Sequence, residues 1–189
     1  VKAGVTTRSF PDTELRNPLV LGMALIQHSR FELVVQKATE LGVSTIQPVI
    51  CHFSRSSGAD RVGADRLRRW WNVAREAAEQ SGRVRVPDIP APITFDELIR
   101  ALRGSKCCLL DTTVPRNLTT PIDLEGAHTV IVGPEGGFTR PEVALAGASG
   151  VDVVRLGCRI MRAETAAIAA VTLAVSAREE WTVGRRQHG

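Results

Sequence analysis

The sequence predicts an α/β fold, a mostly parallel sheet flanked by helices. Apolar runs rich in Val, Ile and Leu alternate with stretches of helical spacing along the chain, as strands joined by crossover helices require. Two capping boxes, Thr94-Phe95-Asp96-Glu97 and Thr139-Arg140-Pro141-Glu142, mark helix starts inside that alternation. The composition is 43% hydrophobic but only 4% aromatic, with no Tyr, so the core must be built from Val, Ala, Leu and Ile. With 189 residues the chain can bury one continuous core, and disorder, collagen and a disulfide scaffold are excluded.

Each element follows from local pattern. Leu19, Val20 and Leu21 open a buried strand. Residues 31–41 place Phe31, Val34, Val35, Ala38 and Leu41 on one helical face and stop at Gly42. The β-branched run 43–50 is a strand, and the polar stretch 54–63 a loop. Residues 64–80 are helical again, closed by Ser81-Gly82, and Pro87, Pro90 and Pro92 then break the chain. The first capping box opens a helix to about Arg103, and 107–110 is a short buried strand. A Pro- and Thr-rich loop occupies 112–121, then a strand 128–132 runs into Gly133-Pro134-Glu135-Gly136-Gly137. The second box carries Pro141 in the first helical turn, where its missing N–H is harmless. Residues 151–156 form a strand, 157–162 a loop and 163–181 a long Ala-rich helix.

Charge is basic and lopsided. Twenty-four Lys and Arg, 21 of them Arg, stand against 20 acids for a net charge of +4, which permits an anionic partner. Cys51, Cys107, Cys108 and Cys158 form no C-x-x-C, and the four His are scattered, so no metal site is expected. A reducing cytoplasm is the simplest compartment for such cysteine usage. No stretch approaches the apolar length of a membrane span, and no signal-peptide layout is present, so no membrane partner is expected.

Three segments carry chemistry. In the first, the 130–139 stretch, a buried strand meets a glycine-rich turn and a capped helix, at the strand end where open α/β sheets bind ligands. It is neither a dinucleotide fingerprint nor a P-loop, and an ordinary strand-to-helix turn would read the same. In the second, Leu156-Gly157-Cys158-Arg159-Ile160-Met161-Arg162-Ala163-Glu164-Thr165-Ala166 crowds charge at a helix mouth. Arg162 opposes the macrodipole there while Glu164 suits it; Glu164 and Thr165 are equally readable as capping groups. In the third, residues 61–85 hold seven Arg around Trp70 and Trp71, either an RNA track or a solvated helix face with Trp70 and Ala74 turned inward.

Together with Gln36-Lys37-Ala38-Thr39-Glu40-Leu41-Gly42-Val43, Ser54-Arg55-Ser56 and Glu79-Gln80-Ser81-Gly82-Arg83, the first two of these segments, through Gly133-Pro134-Glu135-Gly136-Gly137-Phe138-Thr139 and residues 156–166, resemble the RsmE family, the small-subunit ribosomal RNA methyltransferases of the SPOUT superfamily. Five motifs occur in the family's order, from about Leu15 to Trp181. The resemblance implies S-adenosylmethionine as methyl donor and N3 of a uridine in 16S ribosomal RNA of the small subunit as acceptor. It also implies a homodimer and a C-terminal deep trefoil knot, which periodicity would never suggest. Carried over by position, Gly133, Pro134, Glu135, Gly136 and Gly137 would wrap the cofactor, and Leu156, Gly157, Ile160 and Met161 would bed its adenine. Leu110, Asp111 and Thr165 would complete the cofactor-binding set. Arg162 and Glu164 would be catalytic, with Arg55, Ser56, Arg83 and Arg159 on the RNA.

The sequence departs from the family at Ser54, where members usually carry Glu. Members also begin with a PUA-like RNA-binding domain, so residues 1–14 read as its trailing end and 15–189 as the methyltransferase domain. Arg162 is expected to stabilise charge on the uracil carbonyls as N3 loses its proton. Glu164 and Glu135 are the candidate bases, and water is a third. The competing readings are a SPOUT ribose 2′-O-methyltransferase of tRNA and a non-catalytic RNA-binding or assembly module.

Overall fold

The computed structural model describes residues 13–56, 62–114 and 129–177, with the backbone alone at Arg55 and Ser56. Six parallel strands form one sheet in the order β3-β2-β1-β5-β4-β6. They are β1 (Val20–Ala24), β2 (Thr45–Ile50), β3 (Ile93–Thr94), β4 (Cys107–Leu110), β5 (Thr129–Val132) and β6 (Asp152–Val154). Parallel strands covered on both faces read as unbroken apolar runs, and β4 and β5 are buried at every residue.

Strand alternation distributes side chains between two cores. Leu21, Met23, Cys108, Leu110, Val130 and Val132 face one layer, built by α1 (His28–Glu40), α3 (Ala64–Ser81) and α6 (Ala163–Ser176). Ala24, Cys107, Leu109 and Ile131 face the other, against α4 (Phe95–Ala101) and α5 (Arg140–Ala148). The α1–α3 contact centres on Phe31 and Trp70, whose ring centroids lie 4.2 Å apart. Trp70 and Ala74 are both buried, as the inward-facing reading of α3 requires.

Both predicted capping boxes form. Thr94 and Thr139 each accept from the backbone N–H three residues on, and Glu97 and Glu142 reach back to the capping N–H at 2.8 and 2.7 Å. Some boundaries move. The helix after Thr94 stops at Ala101, not Arg103, because residues 102–104 turn toward β4. The predicted 54–63 loop begins instead inside a short helix, α2 (His52–Ser56), while residues 57–61 lie outside the described residues. Ile93 and Thr94 pair with the end of β2, a two-residue strand too short to carry a pattern.

The predicted 151–156 strand narrows to β6, which pairs only with β4 at the sheet edge. From that edge the chain returns to the middle of the sheet, where α6 packs on β5, β1 and α1. The ends of the 112–121 loop and of the 163–181 helix, like residues 1–12, lie outside the described residues.

Candidate active site

The strand order reverses between β1 and β5, and open parallel sheets bind ligands beyond the carboxyl ends of strands near such a point. Here that place holds a cleft of about 480 Å³, within the ~300–1,000 Å³ range of small-molecule sites. One wall comes from the end of β4, with Leu110, Asp111 and Thr112. A second is the turn after β5, from Gly133 to Gly137, and the third is the Leu156 loop, Arg159 to Arg162 and the start of α6.

The glycine turn is set by packing from behind. A Cβ on Gly136 would stand 2.8 Å from the ring of Phe53 on α2, so no larger residue fits without displacing one of them. Gly137 has φ +72°, a left-handed conformation natural to glycine, and its N–H donates to Pro134 O at 2.8 Å. Asp111 is buried; its N–H donates to Val154 O at 2.9 Å, and its carboxylate accepts from the N–H and hydroxyl of Thr113.

On the third wall Ile160 is 87% exposed at the cleft mouth, an apolar side chain left in water. Arg162 is the N-cap residue of α6, with extended backbone and no side-chain cap. Arg162 lines the cleft, and its guanidinium has no hydrogen-bond or ion-pair partner among the described residues. Arg159 lines the same wall.

Glu164 behaves differently from a capping group. It is buried at 8% exposure behind the cleft wall, with Oε1 3.8 Å from Arg30 Nε and Oε2 without a partner. Gly157 and Thr165 do not line the cleft: Gly157 shapes the turn after β6 at φ +75°, and Thr165 is exposed on α6. Leu156, Ile160 and Met161 lie beside Leu110 and Ala166 as an apolar bed.

A further sequence expectation changes at Arg83. Arg83 is not available to RNA, because its side chain is 3% exposed and fully engaged inside the fold. Its Nη1 donates to Thr39 O and Val43 O at 2.8 and 2.9 Å, and its Nη2 to Glu14 Oε2 at 2.6 Å. Partial burial pushes the Glu14 carboxyl up, but the Arg83 hydrogen bond and charge outweigh it. With the N–H donors of Arg85 and Val84 they hold it below the ordinary glutamate range.

The charges of the arginine-rich helix are largely answered, by acids on its own surface and by Glu32 of α1. Arg68 meets Asp65 at 2.8 Å, Arg69 meets Glu32, and Arg75 lies 3.9 Å from Glu79 and over the Trp71 ring. This is the solvated-face reading of α3. Arg61 lies outside the described residues.

Arg55 and Ser56 sit on α2, which three contacts seat beside the glycine turn. Phe53 packs on Gly136, His52 N–H donates to Glu142 at 2.9 Å, and Ser54 Oγ donates to Leu25 O at 2.8 Å. At Ser54 the hydroxyl is thus a buried strut rather than an ionic group. Sequence reasoning missed Phe53 and Arg30. Arg30 carried a readable signal, a cation in the first turn of α1 against the macrodipole. The spacing of apolar residues opens this helix only at Phe31, three residues after its observed start, and so leaves Arg30 outside it. Among the described residues no cluster of His, Cys, Asp or Glu could hold a metal ion, and no helix is long and apolar enough to cross a membrane.

Comparison with known proteins gives this geometry a lineage. The RNA methyltransferase domain family matches residues 13–175. A Mesomycoplasma hyopneumoniae ribosomal RNA small subunit methyltransferase E is 32% identical over 174 residues, covering 90% of this chain and 75% of that protein. Its Synechocystis counterpart is 35% identical over 161 residues, covering 81% of this chain and 51% of that protein. The crystal structure of the Neisseria gonorrhoeae enzyme of the same name, bound to S-adenosyl methionine, superposes with a TM-score of 0.79 at 31% identity. That match covers 92% of this chain and 72% of the other. The chain therefore belongs to the RNA methyltransferase domain family and, within it, to the ribosomal RNA small subunit methyltransferases E.

Proposed function

We propose that the chain carries the cofactor site and catalytic groups of an S-adenosylmethionine-dependent methyltransferase. Its acceptor would be N3 of a uridine in 16S RNA of the small ribosomal subunit, modified in the cytoplasm by a homodimer. The observation that carries this reading is the juxtaposition at one cleft mouth of a glycine turn, an exposed apolar bed and an unpaired arginine. The cleft has the size for a nucleoside-bearing cofactor. Leu110, Leu156, Ile160 and Met161 would take its adenine, and backbone groups of residues 133–137 its polar parts. Covering Ile160 would remove the exposed apolar surface. The path of α6, from the edge strand back across the sheet centre, is the course a knotted C-terminal segment would take.

Bound S-adenosylmethionine supplies an electrophilic methyl on a sulfonium. What remains for the protein is orientation and proton handling at the acceptor. Holding an acceptor in line with the donor is worth several kcal/mol of barrier. Arg162, unpaired at the mouth, would stabilise negative charge spreading onto the uracil carbonyls as N3 deprotonates. Burial of Glu164 behind the wall favours Glu135 or water as the proton acceptor. Arg55, Ser56 and Arg159 would hold the RNA, whose target base must leave its stack.

A calorimetric titration and a methyl-transfer assay on small-subunit RNA test this together. Cofactor binding and a single methyl mapped to uridine N3 are expected. Absence of cofactor binding, or a methyl on ribose, would overturn it.

A further inference from the structure

The lip of the cleft is gripped from outside by α1. Arg30, in that helix's first turn, stands between two carboxylates that belong to different walls of the site. Its Nη1 donates to Glu135 Oε1 at 3.2 Å, and its Nε lies 3.8 Å from Glu164 Oε1. Glu135 is part of the glycine turn, and Glu164 is in the first turn of α6. The two ends of the bridge are unequal. The Glu135 side chain is 40% exposed, the Glu164 side chain 10%, and Glu164 Oε2 is buried without a partner. A carboxylate buried that way is costly unless a cation stays beside it. Arg30 is the cation that meets it, so the Glu164 end is the anchored one. The Glu135 end is a surface ion pair, weak alone, but it acts on a turn that must fit a ligand.

We infer that Arg30 is a positioning residue for the cofactor cleft. It ties the glycine turn to α6 through Glu135 and Glu164, and so sets the gap between residues 133–137 and 160–163 that the cofactor enters. A cation in the first turn of a helix opposes the macrodipole, and the bridge is what Arg30 gains in exchange. The inference rests on the cofactor reading given above. It adds a residue that does not line the cleft and acts through Glu135 and Glu164.

The test is a double-mutant cycle on cofactor binding and steady-state kinetics, using Arg30→Met, Glu135→Gln, the pair together, and Arg30→Lys. Each single substitution is expected to raise the Kd for S-adenosylmethionine about 3–10-fold, and Arg30→Met should raise the KM likewise while leaving kcat at saturating cofactor within about twofold. Because both remove the same bridge, the pair should be no weaker than the worse single, and Arg30→Lys should recover part of the loss. If Arg30→Met fails to fold because Glu164 is stranded, the cycle is run on Arg30→Met with Glu164→Gln. There, adding Glu135→Gln should change nothing further. Multiplicative effects of Arg30→Met and Glu135→Gln, or an unchanged Kd in the Arg30 variant, would overturn the bridge. Absence of cofactor binding by the unsubstituted chain would instead remove the cofactor reading and the bridge with it.

Discussion

Two arginines show how the same side chain is put to opposite uses by its surroundings. Arg162 is exposed at the cleft mouth with no partner among the described residues, so its charge is free to meet one that appears only during reaction. Donors of that kind are worth about 10²–10³ in rate. Arg162→Ala should therefore slow single-turnover methyl transfer by about that factor while leaving the cofactor Kd within about threefold; an unchanged single-turnover rate would end the assignment. Arg83 spends its Nε, Nη1 and Nη2 donors inside the fold, on Glu14 and two backbone carbonyls. Removing one partner of a buried pair costs about 3–5 kcal/mol, so Arg83→Met should lower the unfolding free energy by that order in a denaturant titration. The pair also has a pH signature. The folded Glu14 carboxyl sits below its ordinary range, so its contribution is present at neutral pH and fades as the pH falls through the folded value. Stability should drop on acidification from about pH 5 towards about pH 3, and Arg83→Met should flatten that slope. An equal slope in both proteins would show that other carboxylates dominate.

Between residue and domain, the unit that matters is the glycine turn with the helix packed behind it. The turn was legible because a buried strand, two adjacent glycines and a capping box stand in fixed order. Its partner α2 was not, because five residues without helical periodicity between a strand and a polar stretch carry no signal of their own. What fixes α2 is tertiary: Phe53 fills the space where Gly136 lacks a side chain, and Glu142, already closing a capping box, also accepts from His52. The element bearing Arg55 is thus seated on the turn that would wrap the cofactor. Gly136→Ala brings a methyl to 2.8 Å from the Phe53 ring, a separation that forces the turn or α2 to move. Cofactor affinity should fall about tenfold or more, a loss of roughly 1.4 kcal/mol per factor of ten. Adding Phe53→Ala should restore much of it by vacating the space. Titration of both variants decides: if the second substitution brings no recovery, the clash is not what weakens binding.

At the scale of the molecule, alternation, composition and capping were enough to reach a parallel sheet between helix layers, because parallel strands buried on both faces leave uninterrupted apolar runs. Strand order was out of reach. β5 is already flanked by β1 and β4, so β6 pairs with the free side of β4, where α5 returns the chain, and this shows in no local pattern. The site was legible as motifs, but the bridge through Arg30 joins residues 105 positions apart. The last helix raises the question of a second copy. α6 carries no charged residue after Glu164 and is apolar nearly all round, the composition of a helix covered on every side. Its inner side, with Ala167, Ala170, Val171 and Ala174, is buried in this chain, whereas Ile168, Ala169 and Thr172 on another side are only half-buried. A second copy packed on that side would complete the burial and place two clefts near one interface, as the proposed homodimer requires. Stable dimers bury about 800 Å² per partner, and an unpaired charge inside such a surface costs several kcal/mol. Ile168→Arg should convert a dimer at micromolar concentration into a monomer in sedimentation equilibrium, with little change in the far-ultraviolet circular dichroism of the fold. A chain that sediments as a monomer before any substitution, or as a dimer after this one, would place the interface elsewhere or remove it.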